Sequence, residues 1–86
     1  MRARRLPVAD RVDRDGESVV LVGREVVRLS ALATALLDEC WDWAEEERLV
    51  AVLVDRFGPP PDGGDPAVLV EEALATLSEH RLVERG

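Results

Sequence analysis

The chain has 86 residues, which suits one small domain and is too short for two. It carries 18 acidic residues against 11 arginines, a net charge of −7, and 47% of its residues are apolar, so a folded core is expected and disorder is not. A single cysteine excludes an internal disulfide, and the lack of an apolar run of about 18 residues excludes a transmembrane helix.

The first third of the chain is rich in β-branched residues and turn signals. Asp15-Gly16 between two extended runs is the strongest hairpin signal in the chain, and Gly23 marks a second turn. We predict three strands in this part of the chain, near Val8–Val12, Ser18–Val22 and Glu25–Leu29. These strands would form an antiparallel meander, and residues 1–6 before them are expected to be flexible.

The remaining residues have the spacing of three helices. Ser30 suits the N-cap of the first helix, formed by "ALATALLDEC". The second is predicted over about Ala44–Phe57, with Asp42 as its cap and three glutamates in its first turn. The third is predicted over Pro66–His80, with Asp65 as its cap and proline at the first helical position.

This order of elements predicts a single α+β domain over residues 1–86. A three-stranded antiparallel sheet followed by three helices, with the helices covering one face, is a winged-helix-like arrangement. No repeat and no second domain is predicted.

No residue pattern in the chain indicates catalysis. His80 is the only histidine and is predicted at a helix C-terminus, where a solvated histidine is the common case. Cys40 has no neighbouring base in the sequence, which favours a buried thiol. Metal-ligand spacings and a phosphate-binding loop are also missing. The sequence therefore predicts a protein that is not an enzyme and that has no cofactor or metal.

Charge and hydropathy also restrict the partners. A winged helix suggests DNA, but residues 29–86 carry four arginines against thirteen acidic residues, which a phosphate backbone would repel. The basic N-terminus lacks the apolar stretch of a secretory signal. We therefore expect a cytoplasmic protein that binds neither nucleic acid nor membrane.

The third strand of the meander leaves one edge without a partner. Natural sheets often protect such an edge with charged side chains, and Arg24, Glu25 and Arg28 would do so here. Alternatively, the edge is a docking site, at which an extended peptide adds as a fourth strand. Both interpretations are compatible with the sequence.

Three segments resemble the PqqD family, named for the coenzyme PQQ synthesis protein D and also called the RiPP recognition element. They are "DGESVVLVGREVVRLSALATALLDEC", "LVAVLVDRFG" and "VLVEEALATLSEHRLVE", and the resemblance extends from Arg11 to Val83. It rests on the spacing of apolar positions. Leu29-Ser30 stands where the family more often has Leu-Asn, and "WDWAEEE" replaces a turn of small residues.

The resemblance implies a function in peptide recognition. Members of the family bind the leader segment of a ribosomally made precursor peptide and present the precursor to a modifying enzyme, often a radical SAM enzyme or a leader peptidase. The leader lies antiparallel to the third strand, between it and the third helix. On this chain, the resemblance assigns peptide binding to the strand residues Arg24, Glu25, Val26, Val27, Arg28 and Leu29.

Helical geometry suggests which residues of the third helix would complete the groove. At 100° per residue, Leu69, Ala73, Thr76 and His80 follow one side of its apolar face. We expect Leu69, Ala73 and Thr76 to line the groove, with small Ala73 leaving space for a leader side chain. Leu69 would otherwise pack against the "GPPPDGG" loop.

An alternative from another functional class uses the same edge. The chain would then be an acidic winged-helix module for protein assembly, for instance a homodimer, with no peptide substrate. If a leader binds, Arg24 and Arg28 beside the edge favour an acidic one.

Overall fold

The computed structural model describes residues 1–86, which form six strands and three helices. In chain order these are β1 (Arg2–Arg5), β2 (Asp10–Arg14), β3 (Glu17–Val22), β4 (Glu25–Leu29), α1 (Ala31–Glu39), β5 (Ala44–Glu45), α2 (Glu46–Phe57), α3 (Pro66–Glu79) and β6 (Val83–Arg85). The fold is α+β, as predicted, with a three-stranded meander followed by three helices. A second small sheet was not predicted.

The meander consists of β2, β3 and β4 in antiparallel order. Its first turn has positive φ at both Asp15 (53°) and Gly16 (81°), which is the type I′ geometry that matches strand twist. The second turn has positive φ only at Gly23 (59°), its first central residue, and is therefore of type II′. The sequence placed both turns and β4 correctly. It placed the first strand about two residues too early.

The N-terminal residues correct one expectation. Residues 1–6 were expected to be flexible, whereas β1 is the central strand of the second sheet, between β5 and β6. Ala3 pairs with Ala44 on one side and with Arg85 on the other, and it is completely buried. The partners of β1 come from the middle and the end of the chain, and "RARR" has no strand-like alternation of its own that could reveal this pairing.

Two of the three predicted caps are present. The Ser30 hydroxyl accepts a hydrogen bond from the Ala33 amide at 3.2 Å, and the Asp65 carboxylate accepts one from the Ala67 amide at 2.9 Å. The third prediction was wrong, because Asp42 accepts only from the adjacent amide of Trp43. The second helix begins at Glu46 and not at Ala44, since Ala44 and Glu45 pair with β1.

The core lies between the meander and the helices. Val20, Val27 and Leu29 point inward from the sheet, and α3 contributes Val70, Leu74 and Leu77. The one polar contact in this region joins the hydroxyls of Ser18 and Thr34, 2.8 Å apart, so both buried groups are satisfied. None of the helices has both the length and the apolar character that crossing a membrane requires.

Candidate peptide-binding site

The outer edge of β4 is free along its whole length. β4 pairs with β3 alone, in a register that joins Val20 with Val27 and Ser18 with Leu29. In a two-residue hairpin, the residues that flank the turn form a hydrogen-bonded pair, and such pairs recur at every second residue. Val27 and Leu29 therefore bond to β3, while the N–H and C=O groups of Val26 and Arg28 point away from the sheet. These groups are the ones that an added strand would bind.

Side chains on β4 alternate between the core and the solvent. Val27 and Leu29 are each only 6% exposed, whereas Val26 is 64% exposed and Arg28 lies on the same outer face. Glu25 shares the inward direction of Val27 and Leu29. A strand added beside β4 would therefore place alternate side chains toward the helices and toward the solvent.

The end of α3 meets the beginning of β4. His80 Nδ1 lies 2.5 Å from Glu25 Oε1, and the two side chains join the helix to the strand. A cavity of about 500 Å³ opens beside this contact, between the Gly23 turn and the end of the helix; it is lined by Val22, Gly23, Arg24, Glu25, Glu79, His80 and Arg81. His80 was not among the predicted site residues. Its helical spacing from Leu69, Ala73 and Thr76 was the signal that could have included it.

The three predicted helix residues have different surroundings. Ala73 is half-buried against the core. Thr76 is exposed, and its hydroxyl donates to the Glu72 carbonyl at 3.1 Å. Leu69 lines a cavity of about 700 Å³ together with Pro60 and Pro61 of the "GPPPDGG" loop. Leu69 therefore lies beside the loop, the position that the sequence analysis gave as the alternative to lining the peptide groove.

Arginines on the β4 side of the sheet have no acidic partner. Arg24 and Arg28 form no ion pair, and the only carboxylate on β4, that of Glu25, is bound by His80. By contrast, the arginines at positions 4, 11, 48, 56 and 85 all contact carboxylates. Arg24 and Arg28 at the free edge are therefore not held in ion pairs, although carboxylates line the same cavities as both arginines.

The outer face of the meander is apolar next to this edge. Val12 is paired across the strands with Val19, and Leu21 with Val26. All four side chains are exposed, so they form one continuous apolar surface that ends at β4.

Other side chains that could carry chemistry are buried or in contact with other side chains of the protein. Burial raises the pKa of the Cys40 thiol to about 11, which keeps it protonated at neutral pH. Arg85 donates to both carboxylate oxygens of Glu71, at 2.9 and 2.5 Å, and these bonds lower the pKa of Glu71. The guanidinium groups of Arg2 and Arg4 stack on the Trp43 ring, at 4.4 and 4.8 Å from its centroid. No three His, Cys, Asp or Glu side chains converge as a metal site.

Comparison with protein-family models, with curated proteins and with solved structures found no significant match.

Proposed function

We propose that this chain is a non-catalytic adaptor that binds the leader segment of a ribosomally made precursor peptide and presents the precursor to a modifying enzyme. The proposal takes its substrate class from the resemblance to the PqqD family. The structural observation that supports it is the free edge of β4, with the main-chain groups of Val26 and Arg28 directed outward. The modifying enzyme would act on the core segment, while the adaptor holds the leader.

Strand addition explains how a small domain could hold an extended peptide. The leader exchanges main-chain hydrogen bonds with Val26 and Arg28, and these bonds give affinity that is independent of its sequence. Its inward side chains would point toward α3 and enter the cavity that Arg24 and Glu25 share with His80. The contact between Glu25 and His80 lies beside that cavity.

Val26→Pro is the variant that tests the edge. Proline removes the outward N–H at position 26 and places its ring where the leader backbone would lie. Because the Val26 amide does not bond to β3 and its side chain is exposed, the fold should tolerate this change on an edge strand. We expect binding of a fluorescent leader peptide to weaken about tenfold, the effect of losing one hydrogen bond worth about 1.4 kcal/mol. On this proposal, the peptide to use is the leader of a precursor encoded beside this gene.

Asp13→Pro is the matched control, because its amide points outward from β2, the opposite edge of the same sheet. It should bind the leader with wild-type affinity. Circular dichroism and melting temperatures of both variants check that the fold is intact. Equal affinity of Val26→Pro and wild type would place the peptide elsewhere. A gene neighbourhood without a precursor or a modifying enzyme would also count against the proposal.

The assembly module remains the second candidate, since the apolar surface of Val12, Val19, Leu21 and Val26 suits contact with another protein. In that case β4 would pair with β4 of a second copy. Light scattering distinguishes the two functions: a dimer that Val26→Pro dissociates, together with no leader binding, supports assembly.

A further inference from the structure

The outward side chains of β4 indicate which side chains an added strand would place beside them. Arg28 stands directly across from Val19, and Val26 directly across from Leu21. On this face, the edge therefore presents a positive charge and, two residues before it, an apolar side chain. A strand that adds here brings its own outward side chains next to these two, and cross-strand neighbours of this kind contribute to pairing.

Arg28 is available for such a contact. It lines a cavity of about 520 Å³ on the outer face with Val12, Arg14, Asp15, Glu17 and Val19 among other residues. Neither Asp15 nor Glu17 forms an ion pair with it. Arg14, the other arginine of this cavity, is also unpaired, so the Arg28 guanidinium is not held in an ion pair and is free to contact a carboxylate of an added strand.

Val26 offers an apolar contact to the added strand. Its side chain is 64% exposed, and it borders Leu21, which is 36% exposed. An apolar side chain opposite Val26 would extend the row that Leu21 and Val26 begin and would cover part of both. A charged side chain at that position would lose water without gaining a partner.

Together these positions define a peptide pattern. We infer that the adaptor selects a leader segment in which an acidic residue precedes an apolar residue by two positions, the acid opposite Arg28 and the apolar residue opposite Val26. This inference rests on the proposed function. The order holds for antiparallel addition, the direction that the proposed function takes from the family resemblance, because the bound strand then passes Arg28 before it passes Val26. The residue between them faces inward, opposite Val27.

The test uses two short synthetic peptides, Ser-Thr-Glu-Thr-Val-Thr-Ser and the same sequence with Lys in place of Glu. Each is titrated into the ¹⁵N-labelled full chain at about 0.15 M salt, where the Debye length is about 8 Å, and amide shifts report both the site and the affinity. The wild type should bind the Glu peptide about 1.4- to 5-fold more tightly than the Lys peptide, the range for exposed ion pairs. Arg28→Glu should reverse the preference.

Arg14→Glu is the matched control. It makes the same charge change on the same face. However, β2 lies two strand spacings, about 10 Å, from β4, and salt largely screens exposed charges at that separation. It should keep the wild-type preference. If Arg14→Glu reverses the preference as strongly as Arg28→Glu does, the effect comes from net charge alone, and the inference is overturned.

Two other outcomes overturn it as well. If the Val26 and Arg28 amides shift equally with both peptides, the edge binds strands without this selectivity, and the proposed function stands without the pattern. If neither peptide shifts these amides, the pattern is wrong. Binding of the authentic leader, measured separately with the Val26→Pro variant, then decides the proposed function.

Discussion

Ala3→Asp is expected to lower the free energy of unfolding by about 3 kcal/mol or more. Ala3 has no exposed surface and lies between Ala44 and Arg85 in the middle of the second sheet. A carboxylate at this position would be buried among paired main-chain groups, without a partner to neutralise its charge. For a domain of this size, such a loss corresponds to a decrease in melting temperature of about 12 °C or more. Differential scanning calorimetry measures it.

Ala9→Asp provides the control, because it adds the same carboxylate at an exposed alanine just before β2. Its melting temperature should stay within about 2 °C of the wild type. If Ala3→Asp and Ala9→Asp melt alike, β1 is not part of the folded core, and the N-terminus is flexible, as the sequence alone suggested.

Cys40 is expected to make stability depend on pH in the alkaline range. Burial raises its pKa from 9.0 to about 11 in the folded chain. The unfolded chain therefore releases this proton first, so the stabilisation is complete below pH 9.0 and is lost as the pH rises through about 11. The loss amounts to about 3 kcal/mol, since each pKa unit corresponds to about 1.4 kcal/mol. The chain contains neither lysine nor tyrosine, so no other side chain titrates in this interval.

The comparison that isolates the thiol is Cys40→Ala. Urea denaturation at several pH values between these limits should show a falling free energy of unfolding in the wild type and a flat one in the variant. The variant is less stable at neutral pH, because it leaves a small space at a completely buried position. Parallel pH profiles for the two proteins would show that Cys40 ionises normally in the folded state.

Local signals were sufficient to predict the meander and the helices. Asp15-Gly16 and Gly23 determine two tight turns, and Ser30 and Asp65 begin helices with side-chain caps that the structure retains. Each of these signals acts over a few residues, so the sequence pattern contains them. The error at the start of α2 has another origin, since Ala44 and Glu45 extend in order to pair with β1, which is distant in sequence.

The second sheet could not be predicted for the same reason. Its three strands have four, two and three residues, and they come from both ends and the middle of the chain. Segments this short have no measurable periodicity, and their pairing depends on tertiary contacts. Burial of Ala3, Val83 and Ala44 shows that these contacts belong to the core.

The candidate site was predictable on the strand and less so on the helix. β4 was placed at its observed bounds, but the direction of each amide depends on the two-residue turn at Gly23. Helical spacing places Leu69 and His80 on one side of α3. It could not show that Leu69 meets the proline loop or that His80 contacts Glu25, because both contacts depend on how loop and strand are placed.

Amide hydrogen exchange on the leader-bound protein tests strand addition most directly. The Val26 and Arg28 amides face outward, so they should exchange quickly in the free protein and slowly when the leader is bound. The Val27 and Leu29 amides already bond to β3, and those of β2 lie at the far edge, so both sets should change little. Slower exchange at Val26 and Arg28 alone is the predicted result. Unchanged exchange at these two amides, with protection on α2 instead, would contradict it.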